Sequence, residues 1–186
     1  LHKREQYIHP LSVFLHIFVS KGVLVNTLNS TDPYTAAGWP VFPCNRNKKP
    51  ITQNGFKDAT TNPEQIKQWA QSYPDASVAI ATGYKSGLFV LDVDVKGIDG
   101  IAQLSRLIAD NGCLTVAPKS LPVVRTGGGW LHYYFSRPPG KHWKSTAGIY
   151  PGIDIRCDGG YVIAPPSNHP NTGKRYRWIQ PPEKGK

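Results

Sequence analysis

The stretch Leu88-Phe89-Val90-Leu91-Asp92-Val93-Asp94-Val95 constrains the fold more than any other part of the chain. Its apolar residues belong to a buried strand, yet Asp is depleted in strand interiors. Successive side chains on a strand point to opposite faces, so Asp92 and Asp94 emerge side by side while Phe89, Leu91, Val93 and Val95 face the other way. Neighbouring carboxylates repel and raise one another's pKa. Either the strand end reaches solvent, or a divalent cation held by oxygen ligands offsets the charge.

A chain of 186 residues fits one domain and can bury a substantial core. With 39% hydrophobic residues it is no disordered tail. The 22 Lys and Arg against 12 Asp and Glu leave a formal charge of +10, which points to an anionic partner such as nucleic acid or nucleotide, although surface charge also serves solubility. Cys44, Cys113 and Cys157 form no CxxC pair and no Cys/His zinc spacing, so reduced thiols in a cytoplasmic protein are expected. The absence of Met implies that Leu1 is not the native start or that the initiator was lost.

Residues 1–32 read as an extension. Leu11, Phe14, Leu15 and Phe18 have helical spacing, but Ser20-Lys21-Gly22 breaks the run, which is too short for a membrane span. Lys3 and Arg4 before it resemble the start of a signal peptide, but no clear cleavage site follows, so an amphipathic helix or a poorly ordered extension is preferred. Residues 33–180 read as one folded domain and 181–186 as a tail or linker. Within the domain, Gly38 ends a helical turn, and the prolines of Trp39-Pro40-Val41-Phe42-Pro43 confine that strand to an edge. Asn62 caps a helix with Pro63 in its first turn and Ile66, Trp69, Ala70 and Tyr73 as its core stripe. Ser77 to Thr82 is a strand, and Ile101, Leu104, Leu107 and Ile108 mark one face of a helix ending near Asn111-Gly112. Strands follow at 123–126 and 130–135 around Gly127-Gly128-Gly129, then at 152–156, 161–164 and 176–178. The whole is α+β.

Asp154 and Arg156 share a face while Ile153 and Ile155 enter the core. Asp92, Asp94 and Asp154 are the candidate metal ligands, since two divalent ions can activate an attacking oxygen and stabilise a leaving one in phosphoryl transfer. Arg156 either contacts a triphosphate through its planar fork or forms a structural ion pair with Asp154 or Asp158. His132, on a strand after three glycines, is either a hydrogen-bonded core or surface histidine or a donor to a nucleotide phosphate oxygen, the glycine turn allowing close backbone approach to a ligand; Ser167 and His169 are candidates for the same cleft. Lys48 and Lys49 lie on a loop that is either solvated or in contact with phosphate; Lys49 is the candidate taken forward.

The ordered set Gly38-Trp39-Pro40-Val41-Phe42-Pro43, Lys48-Lys49-Pro50, Gly55-Phe56-Lys57-Asp58-Ala59-Thr60-Thr61, Ala81-Thr82-Gly83, Ser86-Gly87-Leu88, Leu91-Asp92-Val93-Asp94, Thr126-Gly127-Gly128-Gly129, His132-Tyr133-Tyr134-Phe135, Pro151-Gly152-Ile153-Asp154-Ile155-Arg156 and Gly159-Gly160-Tyr161-Val162-Ile163-Ala164-Pro165-Pro166-Ser167 resembles the N-terminal primase-polymerase domain of bifunctional replication proteins. These belong to the archaeo-eukaryotic primase superfamily of plasmids, phages and prophages, and the resemblance spans residues 34 to 179. It implies an α/β lobe and an RNA-recognition-motif-like lobe around a cleft. It also implies metal binding (Mg²⁺ or Mn²⁺) at Asp92, Asp94 and Asp154, nucleotide binding at His132, and Arg156 near the incoming phosphates. The implied partners are single-stranded DNA template, primer and nucleoside triphosphates, with a helicase domain following in the longer protein. Trp130 departs from the small or polar residue often found two places before the histidine, and no zinc-binding insertion is evident. An inactive single-stranded DNA-binding module of a replication initiator is the alternative, and a metal nuclease a third.

Overall fold

The computed structural model describes residues 26–94, 99–110, 121–140 and 142–182. The first 25 residues, Val95, the expected helix end at Asn111-Gly112 and Cys113 lie outside them. Among the described residues, two antiparallel sheets, three α-helices and two 3-10 turns (Thr27–Ser30 and Gly55–Asp58) make the α+β fold expected from the strand and helix patterns.

The described end of the extension is part of the packed body. Leu28 is buried in the main core, Asn26 donates through Nδ2 to Ala70 O (2.6 Å), and Thr27 Oγ1 donates to Ala76 O (2.6 Å). Helix α1 (Asp32–Ala36) is a short complete helix, followed by Gly38 at φ 73°. Strand β1 (Val41–Cys44) is an edge strand, as its prolines require. Helix α2 (Pro63–Ser72) starts where the sequence places it, with Asn62 Oδ1 accepting from the N–H groups of Glu64 and Gln65. Ile66 and Ala70 are buried, whereas Tyr73 is exposed beyond the helix end.

Strand β2 (Ser77–Ala81) lies between β1 and β8 (Tyr161–Ile163) in the smaller sheet. The larger sheet has the order β6-β7-β3-β5-β4-β9, from β6 (Thr146–Tyr150), β7 (Ile153–Arg156), β3 (Leu88–Val93), β5 (Leu131–Ser136), β4 (Val123–Arg125) and β9 (Arg177–Gln180). Strands β7 and β8, adjacent in sequence, enter different sheets, and Cys157 to Gly160 carries the chain between them. The exposed strand β6 is not among the sequence expectations, because none of its residues is buried and it has no apolar face to read.

Alternation along β3 assigns both faces of the larger sheet. Leu88 and Val90 point into the main core, shared with the smaller sheet, α2, Val124 and Tyr134. Val93 points the other way, into a second core with Leu104 of α3 (Gly100–Asp110) and Ile153, against which Leu91, Ile108 and Leu131 pack. Asp99 Oδ1 accepts from the N–H groups of Ile101 and Ala102 at the start of α3, while Ile101 itself is exposed. Cys44 and Cys157 are free thiols and buried, and burial pushes the Cys44 thiol up to about 12.

Candidate active site

Strand register builds the site. Asp92 of β3 is directly opposite His132 of β5 on one side and Asp154 of β7 on the other. Directly opposed residues of an antiparallel pair share a face. Hence His132, Asp92 and Asp154 form one row across three strands, with Tyr134, Val90 and Arg156 as the next row. The row lies on the face turned towards the smaller sheet, where β8 supplies the opposite wall.

His132 Nε2 stands 3.4 Å from Asp92 Oδ1, and Arg156 Nη2 stands 3.5 Å from Asp92 Oδ2 and donates at 2.7 Å to Asp154 Oδ2. Gly148 N–H donates to the other oxygen of Asp154 at 2.7 Å. Burial opposes ionisation of Asp92, but the hydrogen bond and charge of His132 and the charge of Arg156 outweigh it and hold the carboxyl below its usual range. Arg156 thus forms the ion pair with Asp154 that the sequence offered as the alternative to a triphosphate contact, and it reaches Asp92 as well. His132 is buried, and its Nδ1 has no hydrogen-bond partner among the described residues.

A cleft of about 370 Å³ opens over this row, lined by Lys48, Asp92, His132, Ser145, Arg156, Tyr161 and Tyr176 among others. Lys48 occupies the left-handed region at φ 62°, and its carbonyl accepts from Tyr161 Oη at 2.9 Å. Lys48 is thus the lysine of the pair that lines the cleft, whereas Lys49 is exposed and only its backbone joins the Asn45 turn. No pattern in the sequence separates the two lysines; the turn geometry does. Ser145 and Tyr176 also line the cleft; no alternating run marks Ser145, while Tyr176 begins the strand expected at 176–178, where alternation marks it as an apolar core position and not as a cleft residue.

Asp94 departs from the expected strand, because the β3 ladder ends at Val93. Its N–H donates to Gly152 O at 2.7 Å and its carbonyl accepts from Gly100 N–H at 3.1 Å. A Cβ at Gly100 would lie 2.2 Å from that carbonyl, so glycine is what lets the chain turn here. Asp94 does not line the cleft, and among the described residues no group of three or more acidic, His or Cys side chains is arranged to hold a metal.

Ser167 and His169 are not brought into the cleft lining. Ser167 is fully buried, its Oγ accepting from Val78 N–H (2.9 Å) and lying 3.3 Å from Val78 O, so the hydroxyl stitches the 164–167 turn to β2. His169 is buried with its ring stacked on Tyr176 (6.0 Å) and edge-on to Trp130 (6.2 Å). Gly127 is required by the protein itself: a Cβ there would meet Lys174 O at 2.1 Å. The expected close backbone approach is thus made to the 169–174 loop.

Asp158, which carries no role in the sequence reading except as a partner for Arg156, is a structural hub. Arg137 grips it with Nε and Nη2, both at 2.9 Å, and the N–H groups of Tyr84 and Trp143 donate to it at 2.9 Å. The Arg137 bond is the main cause holding its carboxyl down at about 2. Gly83, at φ 85°, passes against it; a Cβ there would lie 2.5 Å from the Asp158 Cα.

Residues 32–185 match the family described as bifunctional DNA primase/polymerase, N-terminal. The chain belongs to this primase/polymerase family. The match covers all of the row, the cleft lining and the Asp158 hub. A search of curated proteins gave no match. Among the described residues, no helix of this family member is long and apolar enough to cross a membrane.

Proposed function

We propose that the chain is a template-directed DNA primase/polymerase that transfers a nucleotidyl group from a nucleoside triphosphate to a nucleic-acid 3′ end. The observation that carries this reading is the His132–Asp92–Asp154 row with Arg156, open to a cleft, in a chain of the primase/polymerase family. The three- and six-stranded sheets both line that cleft, which supports reading them as the family's two lobes.

The donor chemistry of the row fits a hard divalent cation. Asp92 and Asp154 are carboxylates on adjacent strands, and Arg156 between them marks where the pair requires positive charge. Asp92 and Asp154 would hold Mg²⁺ or Mn²⁺, and Asp94, which lies past the end of β3 and outside the cleft lining, is the third carboxylate that the family resemblance implies. When bound, these ions supply activation of the attacking 3′ oxygen and charge stabilisation at the α-phosphate. His132 donates to the triphosphate, and its buried Nδ1 is the nitrogen in need of a partner. Arg156 turns its fork to the phosphates as they arrive, and Lys48 adds a second cation at the mouth. These groups work by positioning and by preorganised charge. The attacking oxygen displaces pyrophosphate, and the extended strand keeps the nucleotidyl group.

Single-stranded DNA is the proposed template in plasmid, phage or prophage replication, in the cytoplasm, with a helicase domain in the longer protein. Primer extension on a primed single-stranded template tests the reading: Asp154→Ala and Asp92→Ala are expected to abolish extension while circular dichroism stays unchanged. Full extension by either folded variant would refute the site.

A further inference from the structure

Beside the acidic row, the edge strand β6 has a shape that packing does not explain. All five of its residues are exposed, and none of them enters either core. Its pairing with β7 is nevertheless irregular: Thr146 is opposite Ile155 and Tyr150 opposite Ile153, so the chain advances four residues on β6 against two on β7. The extra length lies opposite Asp154. Within it, Gly148 occupies the left-handed region at φ 63°, and its N–H donates to Asp154 Oδ1 at 2.7 Å. A bulge changes what a strand presents to its neighbour, and bulges are over-represented next to active sites.

The Gly148 bond decides which way the Asp154 carboxylate faces. With Oδ1 held, Oδ2 is the oxygen that meets Arg156 Nη2 at 2.7 Å, and that same nitrogen stands 3.5 Å from Asp92 Oδ2. One guanidinium nitrogen therefore marks where an oxygen from each carboxylate converges. A backbone N–H suits the anchoring role, because it carries no net charge and has no lone pair with which to ligate a cation. Hydrogen bonds to a ligating carboxylate fix its orientation. Glycine is needed here for its backbone and not for space. A Cβ at this position would meet nothing within 4 Å, yet few residues besides Gly, Asn and Asp adopt such a φ.

We infer that Gly148 is a positioning residue: the β6 bulge ties down Asp154 by Oδ1 and presents Oδ2, as a single-oxygen ligand, to the divalent cation shared with Asp92. The cation as occupant rests on the polymerase reading above. The rival account is that the bulge only blunts a sheet edge against pairing with another chain. That account predicts association of the variant with its metal affinity intact.

The test is Mn²⁺ binding followed by electron paramagnetic resonance, with light scattering, melting and primer extension on the same samples of Gly148→Val and Gly148→Asn. Valine is β-branched and does not settle at φ 63°, so the N–H turns from Asp154 and Mn²⁺ affinity is expected to fall about 10–100-fold. Asparagine tolerates the left-handed region and should restore most of the affinity. Since the position is open, the two variants differ in backbone preference and not in steric fit. Excess Mn²⁺ should return primer extension by Gly148→Val towards wild type, but should not rescue Asp154→Ala. In the Asp154→Ala background, Gly148→Val should weaken Mn²⁺ binding no further. Wild-type Mn²⁺ affinity in Gly148→Val, whether monomeric or associated, would overturn the inference. Equal losses in the valine and asparagine variants, or an additional loss in the Asp154→Ala background, would do the same. Failure of the polymerase reading looks different: wild-type Mn²⁺ binding that depends on Gly148 and Asp154, with no extension of primer. Wild-type protein that binds no Mn²⁺ would overturn both.

Discussion

Replacing Arg156 by Met removes the counter-cation from the row and separates the roles proposed for its members. Nη2 lies 2.7 Å from Asp154 and 3.5 Å from Asp92, and the arginine side chain is about one-third exposed. The gross attraction of such a pair is about 4 kcal/mol at 4 Å for an effective dielectric of 20. Solvent screening at this exposure and the recovered freedom of a long side chain reduce the net loss to about 1–2 kcal/mol. A domain of this size loses about 2–4 °C per kcal/mol, so Arg156→Met should melt about 2–8 °C below wild type at pH 7 without metal. Asp92 has a lowered folded-state pKa, so the stabilisation is fully present above the unfolded value and disappears as pH falls through the folded value. The melting difference should therefore narrow below about pH 4. Removing a positive charge from beside the carboxylates should also tighten Mn²⁺ binding roughly tenfold, or about 1.4 kcal/mol. Nucleotide incorporation should nevertheless fall, since the phosphates lose their fork. Differential scanning fluorimetry across pH, with Mn²⁺ titration followed by electron paramagnetic resonance, measures both effects. Unchanged melting and unchanged Mn²⁺ affinity would show that Arg156 is not the counter-ion of the acidic pair.

His132→Ala should raise KM for the nucleotide and lower kcat at saturating template, and steady-state kinetics unchanged in both would remove the histidine from the site. Ser167→Ala leaves the Val78 N–H unsatisfied in the core, so it should cost about 1–3 kcal/mol in urea unfolding with KM for nucleotide unaltered. Gly83→Ala places a side chain in the left-handed region against the Asp158 backbone, and about 2–4 kcal/mol of destabilisation is expected by denaturant unfolding. Asp158→Asn should melt below wild type at pH 7. That difference should close as pH falls from the unfolded carboxylate value of about 3.9 through the folded value of about 2.

Local signals in the sequence carried much of the fold. Asn62-Pro63 starts α2 by side-chain capping, which depends on near neighbours alone. The prolines of β1 dictate an edge wherever that strand lies. Alternation on β3 and β7 was enough to set Asp92 apart from Leu91 and Val93, and Asp154 and Arg156 apart from Ile153 and Ile155, on opposite faces of their strands. That they fall in one row is a matter of register between distant segments, on which single-strand periodicity is silent. The same limit hid the passage of the chain from β7 to β8 between sheets and the gathering of Arg137, Tyr84 and Trp143 around Asp158. Ser167 shows the converse. A polar residue after a strand reads as a surface group, but here its hydroxyl satisfies backbone in the core. Asp94 differs because the turn at Gly100 and Gly152 ends the ladder one residue before it.

On the proposed reading, Asp92 serves nucleotidyl transfer in a chain that reads a template. Incorporation of one labelled nucleotide on a primed single-stranded template, with Mg²⁺ or Mn²⁺ and with Asp92→Asn alongside, tests it most directly. Metal-dependent extension by the wild type, directed by the template base and matched by pyrophosphate release, is expected, and none by the folded variant. Equal extension by Asp92→Asn, or wild-type protein that binds the template and extends nothing, would contradict it.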